Sequence, residues 1–222
     1  MFFSRIELDM ERMETVRALA KPAVLHGAIE QSFKGERKRR LWRIDKFEDT
    51  CYLLVLSEDL PDFTALNKQF GDARENNSWE TKSYAGLLER IDVNQKWRFR
   101  ICANPVHSVK EQRASGRGKI FAYITTKKHQ EKWPLDRVEK KWLLDRAEKN
   151  GFSLQTENFD VIRSEWVNFK KGTDQRRDIT IYIAVFEGIL TVTDAALFRK
   201  ALIGGIGRAK AYGCGLLTIM RL

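Results

Sequence analysis

One order of hydrophobic patterns occurs twice along this chain, and that repetition limits the fold more tightly than any single motif. Ser4, Ile6 and Leu8 alternate with Arg5, Glu7 and Asp9, the period of a half-buried strand. Pro22 opens a helical stretch to about Phe33, apolar strands follow over 41–44 and 51–56, and Pro61-Asp62 starts a short helix ending near Phe70-Gly71. After a polar stretch over 72–80 that favours no element, Trp97, Phe99 and Ile101 alternate with Arg98 and Arg100 until Asn104-Pro105 stops the strand. Strand, helix, strand, strand, helix, strand is the split β-α-β motif of a ferredoxin-like domain. The order then returns. Ile120, Ala122 and Ile124 read as a strand, and Pro134 sits where the first helical residue belongs. Leu135, Val138 and Trp142 share one face of that helix, with Asn150-Gly151 at its end. Strands are predicted over 161–169 and 179–186, Asp194 caps a short helix to Ile203, and a glycine-rich loop leads into a last strand over 216–220. The predicted fold is α+β, two tandem ferredoxin-like (βαββαβ) domains over 1–105 and 119–222, joined by a linker over 106–118 that holds Ser115-Gly116-Arg117-Gly118.

Composition narrows the partners. With 43% hydrophobic residues among 222, the chain can bury two real cores. Forty Lys and Arg against thirty Asp and Glu leave a net charge of +10, which favours a polyanion. Cys51, Cys102 and Cys214 lie far apart in apolar stretches and read as reduced core thiols of a cytoplasmic protein. No Cys-x-x-Cys, His-Glu-x-x-His or carboxylate cluster occurs, so neither a metal nor another cofactor is expected. Met1-Phe2-Phe3 runs into Arg5 and Glu7 rather than a signal-peptide core, and no apolar run approaches the ~20 residues of a membrane span.

Two features carry candidate chemistry. In the segment 204–217, five glycines interleave with Arg208 and Lys210, and no acid occurs from Ala195 to Leu222 against five Lys or Arg. Glycine admits positive φ and close approach of a ligand, so the loop reads as a phosphate contact or, more plainly, as a tight helix-to-strand connection. Gly205-Ile206-Gly207-Arg208-Ala209-Lys210 lacks the third glycine of a dinucleotide fingerprint and precedes a strand, and no Gly-Lys-Ser or Gly-Lys-Thr of a Walker loop exists. Nucleotide hydrolysis and hydride transfer lose their support. Of three histidines, His129 lies in a charge run and His107 in the expected linker, whereas His26 opens a helix beside the basic segment 34–40. A histidine there is a surface or capping group, or a proton carrier.

The opening strand, the Pro22 to His26 helix entry, Arg40-Leu41-Trp42-Arg43, Arg98-Phe99-Arg100 with Ala103-Asn104-Pro105, Val185-Phe186-Glu187-Gly188 and the segment 205–217 occur in an order that spans nearly the whole chain. In that order the sequence resembles the CasE-type CRISPR repeat endoribonucleases of the repeat-associated RNA-binding superfamily. The resemblance implies metal-independent cleavage of precursor CRISPR RNA beside a repeat stem-loop, in a protein retained with the other subunits of a Cascade-type complex. A ribose 2'-hydroxyl would attack the adjacent phosphate and leave a 2',3'-cyclic phosphate. His26 matches the family histidine, as general acid or general base. Some members carry a tyrosine three residues before it and an arginine just after it, where this chain has Ala23 and Gly27. The second catalytic group is thereby left open, and a catalytically weak or inactive RNA-binding subunit of the same complex is the alternative. A small-molecule enzyme with a phosphate loop is a third class. Expected RNA contacts are Arg39 and Arg40 of the basic segment, Arg163, Lys170, Lys171, Arg176 and Arg177 along a hairpin, and Gly205, Gly207, Arg208 and Lys210 of the loop. The Lys170-Lys171-Gly172 turn matches a family position.

Overall fold

A computed structural model describes residues 1–72, 79–109, 119–122, 135–170 and 178–222. The first sheet contains β1 (Phe2–Glu7), β2 (Leu41–Lys46), β3 (Cys51–Ser57) and β4 (Trp79–Ser83) in the order β2-β3-β1-β4. Every adjacent pair is antiparallel. Helices α1 (Met13–Ala20), α2 (Pro22–Gln31) and α3 (Thr64–Phe70) belong with it, as does the short α4 (Ala85–Glu89). Ser4 and Ile6 lie opposite Val55 and Leu53, and all four are buried. The core below that face gathers Ala18 of α1, Leu25 and Ile29 of α2, Trp42 of β2, and Leu66 and Phe70 of α3. Leu25 and Ile29 stand one helical turn apart, which fixes the buried stripe of α2. His26 follows Leu25 and so sits at the edge of that stripe, half-buried.

The second sheet contains β5 (Lys96–Ala103), β8 (Phe152–Lys170), β9 (Asp178–Val192) and β10 (Leu217–Arg221) in the order β10-β5-β9-β8. Among the described residues, helices α5 (Leu135–Ala147) and α6 (Ala195–Gly204) accompany it. Trp142 of α5 stacks on Phe186 of β9 with ring centroids 6.2 Å apart, and Phe152 meets Phe198 of α6 edge-on at 5.8 Å. Asp194 caps α6 by accepting from the Leu197 amide at 2.9 Å. In both sheets the first and third strands are central, which is the order the split β-α-β motif demands. The fold is two ferredoxin-like sheets.

Strand membership corrects the domain limits expected from sequence. The 97–101 strand forms, but β5 pairs with β9 and β10 and opens the second sheet. The first sheet is closed by β4 instead, which begins at the end of the polar stretch to which no element was assigned; Ser4 Oγ and Thr81 Oγ1 lie 2.9 Å apart across that pair. Alternation identifies a strand and its buried face, not its partner, and an exposed edge strand needs little alternation. The expected linker 106–118 begins as β6 (Val106–Val109), which pairs with β7 (Lys119–Ala122) in a two-stranded ribbon. Ile124, Pro134 and 115–118 lie outside the described residues. By compactness the first unit is Met1–Arg90 with Asn168–Thr180 and Ala209–Leu216, and the second is Ile91–Val167 with Ile181–Arg208 and Leu217–Leu222. α1 is a further element that the sequence reading lacked. The three cysteines are buried and form no disulfide, and no described helix is long and apolar enough to cross a membrane.

Candidate functional site

Pro22 supplies the first turn of α2, where a missing backbone N–H costs nothing, and the helix then presents Ala23, His26, Gly27 and Glu30 along one side. These four, with Phe33, Gly35, Arg37 and Arg40, line a hollow of about 360 Å³. An adjoining hollow of about 310 Å³ shares His26, Glu30, Arg37 and Arg40 and adds Lys38, Arg39, Lys210 and Ala211. All of these residues belong to the first unit. A larger hollow of about 490 Å³ over β5, β9 and β10 has a mainly apolar lining, and its Arg100 is ion-paired to Glu187, so it offers no comparable chemistry.

At the centre, Arg37 Nη2 lies 3.0 Å from His26 Nε2. A guanidinium has no acceptor, so it donates, and the imidazole is neutral with its hydrogen on Nδ1. That Nδ1 is buried and finds no partner among the described residues. Burial lowers the His26 pKa from its usual 6.5; Glu30 opposes the shift, and Arg37 and Arg40 add to it. Glu30 Oε2 is ion-paired with both arginines: it lies 3.2 Å from Arg37 Nε and accepts a hydrogen bond from Arg40 Nη1 at 3.0 Å. The two cations differ in freedom. The Arg40 guanidinium is buried over the Phe33 ring at 3.9 Å and also donates to the Lys38 carbonyl, whereas the Arg37 side chain is 75% exposed.

Lys210 enters this setting on a 3₁₀ turn, Lys210–Tyr212, flanked by Ala209 at φ 58° and Gly213 at φ 82°. Burial lowers its pKa, and Arg39 adds to the effect. Two contacts hold the turn. A Cβ on Gly213 would fall 2.9 Å from the Trp42 ring, and Arg43 Nη1 donates to the Leu216 carbonyl at 3.0 Å. Arg43 is itself held by Asp45 through two hydrogen bonds of 2.7 Å, all of it buried. Tyr212 is packed against Phe169, with ring centroids 4.9 Å apart.

His26, Arg39, Arg40 and Lys210 are thus brought together. Arg40 serves as framework rather than as a free cation. Gly205 is the C-cap of α6 at φ 69°, and a Cβ on Gly207 would meet the Trp142 ring at 3.0 Å, so cap geometry and packing account for both glycines. Arg208 is exposed. Arg163, on β8 in the second unit, is exposed and 3.6 Å from Glu165; Lys170 ends β8 and is exposed. Lys171, Arg176 and Arg177 lie outside the described residues. Sequence reasoning left open a phosphorane-stabilising cation from the segment 34–40 without singling out Arg37, and it missed Glu30. The one available signal was Glu30 four residues after His26, on the same helix side. Among the described residues, no group of three or more His, Cys, Asp or Glu side chains is placed to hold a metal ion.

A family model described as CRISPR associated protein matches residues 1–221. The CRISPR-associated endoribonuclease Cse3 of Thermus thermophilus is 26% identical over 227 aligned positions, covering 99% of each chain. The structure of Thermus thermophilus Cse3 bound to an RNA representing a pre-cleavage complex superimposes with a TM-score of 0.73 at 23% identity, covering 99% of this chain and 98% of that one. A chain of a CRISPR RNA-guided surveillance complex gives 0.67 at 19% identity, with 100% of both chains covered.

Proposed function

This chain belongs to the CRISPR-associated protein family, and we propose that it is an endoribonuclease that cuts precursor CRISPR RNA beside a repeat stem-loop and remains, in the cytoplasm, in a Cascade-type complex. The observation that carries this reading is a neutral, half-buried His26 with Nε2 facing a guanidinium in a hollow lined by further cations. A Thermus thermophilus endoribonuclease relative aligned along the full length supports the substrate class.

The reaction proposed needs no metal. The 2'-hydroxyl oxygen upstream of the scissile phosphate attacks phosphorus, the bond to the 5'-oxygen breaks, and a 2',3'-cyclic phosphate remains. His26 Nε2, unprotonated near neutral pH, receives the 2'-hydroxyl proton, which selects general base from the two roles open to it. Arg39 and Lys210 hold the phosphate backbone, and the fixed charge of Arg40 adds to the field. Arg208, Arg163, Lys170, Lys171, Arg176 and Arg177 serve the stem by phosphate contacts, since the narrow A-form major groove hides base edges. Ala23 and Gly27 line the hollow without a polar group, and they favour a second reading, an RNA-binding subunit with little or no catalysis.

The deciding experiment is single-turnover cleavage of a repeat stem-loop RNA in EDTA, with and without a single 2'-deoxy substitution upstream of the scissile phosphate. We expect cleavage in EDTA, a cyclic phosphate end, and a deoxy RNA that binds but is not cut. His26→Ala should slow the native reaction ~100-fold or more. Cutting of the deoxy RNA overturns the mechanism, and binding without any cleavage favours the second reading.

A further inference from the structure

The hydrogen bond between Arg37 and His26 presents a chemical problem. The Nε2 lone pair that accepts from Arg37 is the one a general base must use, so His26 is covered in this state. Arg37 is also the cation of the hollow best able to leave. It is exposed, and its anchors are one carboxylate oxygen shared with Arg40 and one neutral imidazole. A phosphate accepts two parallel hydrogen bonds from a guanidinium and carries full charge, which makes it the stronger partner.

We propose that Arg37 is the second catalytic group of this site: it passes from His26 Nε2 to the scissile phosphate, uncovering the base and placing its guanidinium against the phosphorane oxygens. Arg37 neither gives nor takes a proton. The 2'-oxygen to phosphorus bond forms as the phosphorus to 5'-oxygen bond breaks, the 2'-hydroxyl proton goes to Nε2, and the departing 5'-oxygen takes a proton from water. His26 later returns its proton to solvent. Glu30 acts as a positioning residue, holding Arg37 beside His26 until RNA arrives. The assignment gives a phosphate-stabilising cation to a site whose neighbours Ala23 and Gly27 have none, and it rests on the endoribonuclease reading above.

The test compares wild type, Arg37→Ala, Arg37→Lys and His26→Ala, each as the full chain, on a repeat stem-loop RNA. Affinity is measured with the 2'-deoxy RNA. Arg37→Ala should lower the saturating single-turnover rate ~100-fold, the scale for losing one preorganised donor to a developing anion, and lower affinity far less, as one phosphate contact among many. Arg37→Lys should recover part of the rate, because an ammonium keeps the charge without the fork. Removing a cation beside His26 also moves the acid limb of kcat/KM to higher pH, with Glu30, Arg39, Arg40 and Lys210 still facing the ring's hollow. A folding defect would not shift that limb. If Arg37→Ala cleaves as fast as wild type or faster while His26→Ala is defective, Arg37 is only a cover and the proposal fails. If His26→Ala cleaves normally, the endoribonuclease assignment of this hollow fails with it.

Discussion

Replacing glycine by alanine at two positions of the first unit should change stability in opposite directions. At Gly213 the backbone has φ +82°, and the new Cβ would lie 2.9, 3.2 and 3.3 Å from three atoms of the Trp42 ring. Holding an L-residue in the left-handed region costs about 1–2 kcal/mol. Trp42 is only 2% exposed and cannot swing away, so overpacking adds about 1–3 kcal/mol. The smaller entropy of the unfolded alanine chain offsets only about 0.4–1 kcal/mol of that cost. Gly213→Ala should therefore lose about 3 kcal/mol. At Gly27, inside α2, a Cβ meets nothing within 4 Å, and the substitution should gain about 1 kcal/mol from helix propensity alone. Equilibrium urea unfolding followed by tryptophan fluorescence reads both, as midpoints moving down and up at unchanged slope. A Gly213→Ala midpoint equivalent to less than about 0.5 kcal/mol, the range of an ordinary surface change, would refute the account of the turn.

Two further outcomes follow from the buried charges. Asp45→Ala leaves the Arg43 guanidinium buried without its carboxylate and should cost about 3–5 kcal/mol in the same assay, whereas Arg43→Met with Asp45→Leu should cost much less. The folded chain takes up the His26 proton at lower pH than the unfolded chain does. Stability should therefore fall as pH drops from about 6.5 through the folded value, a slope that His26→Gln removes, and the kcat/KM acid limb of wild type should have its midpoint below about 6.5.

The regular elements were legible where apolar spacing carried the information. Pro22, Asp194 and Gly151 stand at the element ends their chemistry suggested. Sheet membership was not legible, because Trp97, Phe99 and Ile101 mark a face that either sheet could have taken. β4 escaped because an edge strand with Glu80, Lys82 and Ser83 exposed lacks a hydrophobic signature. In the site, His26 stood out through family resemblance. Arg37 did not, since it looks equivalent to Lys38 and Arg39 in sequence, and only the distance to Nε2 distinguishes it. Four of the five glycines of 204–217 have positive φ, the conformation glycine allows, but a sequence does not reveal whether a ligand or a tryptophan ring occupies the space a side chain would need.

The bond from Arg43 to the Leu216 carbonyl spans 173 positions, and Lys210 reaches the His26 hollow from the same late segment. The first unit is thus assembled from three separate segments, Met1–Arg90, Asn168–Thr180 and Ala209–Leu216. On the ribosome, its opening strands and helices emerge long before residues 209–216 are translated, and they wait with Trp42 and Arg43 lacking their last neighbours. The cation-lined hollow comes into being only once residues 209–216 have been added, so nascent fragments that already carry His26 but lack that segment have only part of its lining.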